Sequence, residues 1–131
     1  MGRPACPRGG RGRTLQAEAG CEVSNPSKAK GDKAERELAA LISDQLGIEI
    51  RRKLGAGRTD DEGDLDGLPD WTIEVKNIAK LADALRDGVD DSTREQRNAC
   101  TPFGVAFIRV RGGRWYAVQS VEQWATVVRE L

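Results

Sequence analysis

Residues 63–77 read "GDLDGLPDWTIEVKN", four acids and one lysine in fifteen positions, with Glu74 and Lys76 set inside a run of strand formers. Trp71, Thr72, Ile73 and Val75 favour an extended chain, and alternate side chains of a strand share a face. Trp71, Ile73 and Val75 therefore point one way and Thr72, Glu74 and Lys76 the other, with Glu74 and Lys76 about 7 Å apart along the strand. A hairpin through Gly67–Asp70 brings the preceding segment alongside, with Asp64 near its start. Two carboxylates and one ammonium then meet at one end of a sheet. An ordinary half-buried strand turns such a face to water; the alternative is a cleft in which the charge is used.

Working outward, Ala34, Leu38, Leu41, Ile42 and Leu46 recur at helical spacing between Asp32 and Leu46, order beginning near Gly31, and Gly47 stands where a helix is commonly stopped. "IEIRRKL" (48–54) reads as a strand, followed by the polar loop "GAGRTDDEG" (55–63), in which Asp60, Asp61 and Glu62 shape and solvate the turn. Short strands follow at Asp64–Leu68 and Trp71–Lys76. From about Ile78 to Cys100 the pattern is helical, with Leu81, Leu85, Val89, Ser92 and Gln96 on one inward face; Gly88 and "DDST" (90–93) are also compatible with two shorter helices. "FGVAFIRVR" (103–111) is an apolar strand, Gly112-Gly113 a hairpin turn and "RWYAVQ" (114–119) its partner. Val121–Leu131 closes the chain as a helix with Trp124, Val127, Val128 and Leu131 inward. The fold class is α/β, a mixed sheet of about five strands flanked by helices in the order αβββαββα.

The 131 residues suit one domain. Residues 1–29, rich in Gly, Pro and Arg and without apolar periodicity, read as a disordered basic tail, and 30–131 as the folded domain. "RGGRGR" (8–13) could touch phosphates, or be a solvated tail or translated upstream sequence. No stretch approaches the roughly 20 apolar residues of a membrane span, and no apolar core of a secretory signal follows the N-terminus. Cys6, Cys21 and Cys100 form no C-x-x-C pair and fit reduced thiols, so a cytoplasmic location is expected. The chain has no histidine, which removes Ser-His-Asp and Cys-His nucleophile pairs and H-E-x-x-H metal sites. Any chemistry must rest on carboxylates, lysine, arginine and hydroxyls. Net charge is zero, but residues 1–30 hold six basic and two acidic side chains against fifteen and nineteen in the rest. Overall charge therefore decides nothing about nucleic acid; local arrangement must.

The first helix adds an acid. Glu35 falls at the border of its apolar face, although Asp32-x-x-Glu35 also has the spacing of a capping box. Two unit charges ~4 Å apart repel by about 4 kcal/mol at an effective dielectric near 20. A site collecting Glu35, Asp64 and Glu74 needs a cation or strongly raised pKa values. Oxygen-only ligands favour Mg²⁺, with Mn²⁺ as substitute, over zinc. Such an ion polarises a phosphate oxygen and activates bound water, and Lys76 beside it could orient that water or offset developing charge. The constellation makes chemical sense as a metal-dependent phosphodiester hydrolase.

Asp64, followed after nine residues by Glu74-Val75-Lys76, resembles the D…(D/E)-x-K signature of PD-(D/E)XK nucleases, and more specifically phage-type Holliday junction resolvases and their archaeal relatives. The matching segments are "KAERELAALISDQLG", "RRKLGAGRTDDEGDLDGLPDWTIEVKN", "EQRNACTPFGVAFIRVRG" and "RWYAVQ", spanning roughly Lys30 to Leu131. The resemblance implies a restriction-endonuclease-like fold and a Mg²⁺-dependent endodeoxyribonuclease acting at four-way junctions in DNA recombination, in a bacterial or phage-infected cell. Asp64, Glu74 and Glu35 would be its metal ligands and Lys76 its catalytic lysine. Gln96 would stand near the site, or be an inward glutamine bonded to backbone; Asp66 would be an alternative or supporting acid. Arg51, Arg52, Lys53 and Arg58, with Lys80, Arg97, Arg109 and Arg111, are candidate contacts to branched or duplex DNA, or ordinary solvated cations. Symmetric cutting implies a homodimer. The proline expected before the first aspartate is Gly63 here. Other readings are a nuclease of the same superfamily acting on flaps, ends or duplex DNA, and an inactive DNA-binding protein of the same fold.

Overall fold

The computed structural model describes residues 26–53 and 61–131, with the side chain of Ser27 excepted. The tail expected over residues 1–29 lies outside them as far as residue 25, and Arg58 and Asp60 lie outside them too. Eight elements follow in the expected order: α1 (Pro26–Leu46), β1 (Arg51–Arg52), β2 (Leu65–Asp66), β3 (Trp71–Lys76), α2 (Leu81–Ala99), β4 (Phe103–Val110), β5 (Arg114–Val118) and α3 (Val121–Arg129). The strands form one mixed sheet in the order β1-β2-β3-β4-β5. Only β3 and β4 run parallel, Glu74 opposite Ala106 and Lys76 opposite Ile108. The other neighbours are antiparallel. β1 and β2 are shorter than their apolar patterns suggest.

α1 begins five residues before Gly31. Proline suits a first helical turn, where its missing N–H has no partner to lose. Gly31, which resembles a boundary in sequence, lies inside the helix, with nothing within 4 Å of where a Cβ would be. Asp32 and Glu35 are consequently interior residues, and the capping-box reading is corrected. α1 covers one sheet face: Leu38, Ala39 and Ile42 pack with Ile50, Leu65, Ile73 and Val105. Each leucine, isoleucine or valine so buried contributes about 1.5–3 kcal/mol.

The opposite face carries α2, a single helix of nineteen residues rather than two. Its buried side is Ala84, Gly88, Ser92 and Glu95, and not the face expected from Leu81 and Leu85, which are exposed. Small residues win because the helix lies close to the sheet. A Cβ on Gly88 would sit 2.9 Å from Ile108 Cδ1 and 3.2 Å from Lys76 Cγ. α3 is likewise rotated from expectation: Trp124, Val128 and Leu131 are exposed while Gln123 is buried. Ser120 caps α3 in a reciprocal capping box with Gln123, whose Nε2 also donates to Ser92 Oγ of α2 (3.1 Å). That polar bond between the helices fixes which face of α3 turns inward. Cys100 is disulfide-bonded, which corrects the expectation of reduced thiols there. No helix among the described residues is long and apolar enough to cross a membrane.

Candidate active site

The residues of β3 alternate as their sequence requires. Ile73 is buried against α1, while Glu74 and Lys76 lie on the α2 side. Asp64 sits just before β2, held by three bonds to its neighbours. Its N–H donates to Ile73 O (2.8 Å), its carbonyl accepts from Lys53 N–H (2.8 Å), and its Oδ2 accepts from Val75 N–H (2.8 Å). The last bond ties the carboxylate to the strand that carries Glu74. Gly63 explains the departure from the proline pattern: its φ is +107°, unreachable for a ring fixed near −65°. A Cβ there would also approach Ile73 O to 3.0 Å.

Around this core the charges are tightly partnered. Lys76 Nζ donates to Asp91 Oδ2 of α2 (2.6 Å) and lies 3.0 Å from Glu74 Oε1. Burial opposes the charge on Lys76, but Glu74 and Asp91 outweigh it and hold its pKa above the ordinary lysine value. Glu95, one turn beyond Asp91 on α2, is only 2% exposed and within hydrogen-bonding reach of Glu74. Sequence reasoning missed both α2 acids. Their signal is the spacing Ala84, Gly88, Ser92, Glu95, a helical stripe of small residues ending in an acid, with Asp91 beside it.

The acids resist ionisation together. Burial, then the neighbouring Glu74 carboxylate, raises Asp64 to about 8, against the pull of the Val75 N–H. Burial, then the bond and charge of Glu95, raises Glu74 to about 9 in spite of Lys76. Burial raises Glu95 to about 7 while its bond to Glu74 pulls the other way, and Asp61, Asp64 and Asp91 add to the rise. The close Lys76–Glu74 contact taken alone suggests an ion pair at neutral pH. Burial and Glu95 decide otherwise for Glu74, and Asp91 is the firmer partner of the ammonium.

Glu35 takes another position. Its Oε2 accepts from Arg52 Nε (2.8 Å), and Arg52 Nη2 donates to Asp32 Oδ1 (2.7 Å). The Glu35 bond leads the causes that hold the Arg52 pKa above its ordinary value. Glu35 thus reaches Asp64 through charge, with Arg52 between acids on both sides. Gln96 is not among the acids. Its Nε2 donates to Pro102 O (3.0 Å) and Thr101 O (3.3 Å), closing the α2–β4 turn, which is the backbone-bonded alternative. Asp61 accepts from Gly63 N–H (2.9 Å) and shapes the turn as expected; Asp66 is exposed, opposite Arg51. Of the candidate DNA contacts, Arg51, Lys80, Arg97 and Arg111 are exposed. Lys53 lies 3.5 Å from Glu62, and Arg109 bonds Glu37 (2.8 Å).

Among the described residues, no three or more acidic, histidine or cysteine side chains converge in a ready-made metal site. The donor set nevertheless fits a hard divalent cation in its chemistry. It offers oxygens only, and two of them, Glu74 Oε2 and Glu95 Oε2, are buried without a hydrogen-bond partner. Comparison with protein-family models, curated proteins and solved structures returns no match to this chain.

Proposed function

We propose that this protein is a Mg²⁺-dependent endodeoxyribonuclease of the PD-(D/E)XK type, with the restriction-endonuclease-like fold, which cleaves four-way DNA junctions as a homodimer. The observation that carries the reading is the convergence of Asp64, Glu74 and Lys76 at one buried point, from separate segments, on the face of β3 away from the main apolar core. Burying mutually repelling carboxylates is costly, and a resident divalent ion is the simplest compensation. The sheet supports the reading as well: an antiparallel β1-β2-β3 followed by a parallel β4 sets both motif acids side by side.

In this reading Asp64 and Glu74 would hold the ion, which would supply polarisation of a phosphate oxygen and a more acidic bound water. Lys76, steered by Asp91, directs its ammonium at the developing charge or the attacking water. The Glu35–Arg52–Asp32 array braces the edge of the site beside Asp64. Arg51, Lys80 and Arg97 position DNA through its phosphates, without reading sequence. Junction preference, and the pairing of two subunits that symmetric cutting requires, rest on the resemblance to resolvases.

The test is cleavage of a labelled four-way junction beside matched linear duplex, in Mg²⁺ or EDTA, with Lys76→Ala as control. Paired, metal-dependent cuts near the crossover that vanish in the variant are expected. Equal cutting of the duplex would remove junction selectivity and keep the nuclease. Binding without cleavage across several metals and DNA structures would leave an inactive DNA-binding protein of this fold.

A further inference from the structure

The motif acids account for two sides of the buried pocket of charge; α2 supplies a third that the motif does not contain. Glu95 is 2% exposed and Glu74 4%, and each has one oxygen without any hydrogen-bond partner. Each side chain is partnered elsewhere, Glu74 by Lys76 and the two glutamates by each other, but that leaves the second oxygen of each unmet, and an unsatisfied carboxylate oxygen costs more than a neutral one. Nothing on the α2 side relieves Glu95. The nearest cation to it, Arg94 Nη2, stands 3.8 Å from Glu95 Oε1, is solvent-exposed, and is also bonded to Asp91. Lys76 is spoken for by Asp91 and Glu74. Asp61, Asp64 and Asp91 all press further negative charge on Glu95.

Glu35 presents the opposite picture. Its carboxylate already receives a charged donor, Arg52 Nε at 2.8 Å, and it is absent from the buried oxygens left unpaired. A ligand role for Glu35 would break a charge-assisted bond. A ligand role for Glu95 would satisfy an oxygen that has nothing. The packing points the same way, because Gly88 and Ala84 allow α2 to approach the sheet closely enough for Glu95 to reach Glu74. A bulkier stripe would hold the helix, and its acid, farther off.

We propose that Glu95 is a cation ligand: that α2 contributes the third carboxylate of the site, beside Asp64 and Glu74, and that Glu35 acts as a brace through Arg52. This assignment rests on the metal-dependent nuclease reading. It divides the site among the segment before β2, the middle of β3 and one turn of α2, so that cation binding pins α2 to the sheet. A carboxyl pair that served packing alone would alter melting and leave cation affinity where it was.

The experiment is a Mn²⁺ titration of the full chain without DNA, followed by electron paramagnetic resonance of the free ion. It compares the unaltered protein with Glu95→Gln, Glu95→Asp, Glu35→Gln and Asp64→Asn, with circular dichroism as the folding control. Glu95→Gln keeps the side-chain shape and is expected to weaken Mn²⁺ binding by at least about tenfold, the scale on which even outer partners of a metal act. Glu35→Gln is expected to weaken it by less than that. If Glu95→Gln does not fold, Glu95→Asp decides, since it keeps the charge but withdraws the carboxylate by one methylene; it too is expected to bind more weakly. Unaltered affinity in a folded Glu95 variant, with affinity lost in Asp64→Asn, overturns the assignment and leaves the nuclease reading standing. Absence of Mn²⁺ binding by the unaltered protein overturns both. Mn²⁺ binding that depends on Glu95, in a protein that cleaves no DNA, supports the site and removes the nuclease.

Discussion

The acid cluster predicts that Asp64→Asn stabilises the protein and, on the proposed nuclease reading, abolishes DNA cleavage. Asp64 has a folded-state pKa near 8 against 3.8 for an unperturbed aspartate. Between those values the folded chain keeps a proton that the unfolded chain has lost, so stability falls as pH rises through the window. Below pH 3.8 both states are protonated and nothing is lost; above about 8 both are ionised and the penalty is constant. At about 1.4 kcal/mol per pH unit, holding that proton at pH 7 costs the folded state roughly 4 kcal/mol. Asparagine removes the titration and keeps the geometry: its oxygen can accept from Val75 N–H, as Asp64 does, and its amide can donate to Glu74. Part of the penalty is shared with Glu74 through their mutual repulsion, so the expected gain is about 2–4 kcal/mol at pH 7–8, a visible share of a typical domain's stability. The assay is urea unfolding of the full chain in EDTA at pH 4, 6 and 8. The gain should shrink toward zero at pH 4, and added Mg²⁺ should narrow the gap by stabilising only the unaltered protein. A variant less stable at pH 8, or a gap independent of pH, would refute the picture of Asp64 as a carboxyl strained by burial and by Glu74.

On the proposed nuclease reading, Lys76→Ala is expected to lower the junction-cleavage rate by about 10²–10³, the usual loss when one charge-stabilising donor is removed, with junction binding retained in a gel-shift assay. Gly67→Ala should destabilise by about 2 kcal/mol or more in urea unfolding, because φ is +117° and a Cβ would press into the Glu49 carbonyl. Gly31→Ala should stabilise by about 0.5–1 kcal/mol through helix propensity alone, the position having open space around it, and thermal melting will read the shift.

What could be read from the sequence follows from how local each signal is. β3 runs from Trp71 to Lys76, as its alternation requires, because a strand's two faces are set by neighbours two residues apart. The pairing of Asp64 with that strand was legible too, since the intervening Gly67–Asp70 segment is too short to lead elsewhere. α2 and α3 were misoriented for one shared reason: hydropathy finds a buried face by its large apolar residues. In α2 the packed stripe is Ala84, Gly88 and Ser92, chosen for closeness to the sheet, while Leu81 and Leu85 face out. In α3 a hydrogen-bonded Gln123 displaces Trp124 from the interior. Glu95 was lost with the face that carries it. Glu35 was found at the right helix edge, but Arg52, read as a DNA contact, is what holds it. That pairing depends on the fold bringing residues 35 and 52 together.

The two faces of the sheet divide the work of the molecule. Among the described residues, seven buried apolar side chains form a continuous core against α1; against α2 the buried apolar cluster is Ala84, Ala106 and Ile108, and the remaining depth goes to Thr72, Glu74, Ser92 and Glu95. The α1 face therefore supplies most of the apolar burial, a contribution that does not depend on pH, while the α2 face spends part of that stability on charge. Adjacent residues of β3 fall on opposite sides of this division. Truncating Ile73 removes packing at every pH, whereas neutralising Glu74 removes a charge whose cost grows as pH rises toward 9. A sheet asymmetric in this way can keep a cluster of unwelcome carboxylates in place, because the element that holds them together is anchored from behind.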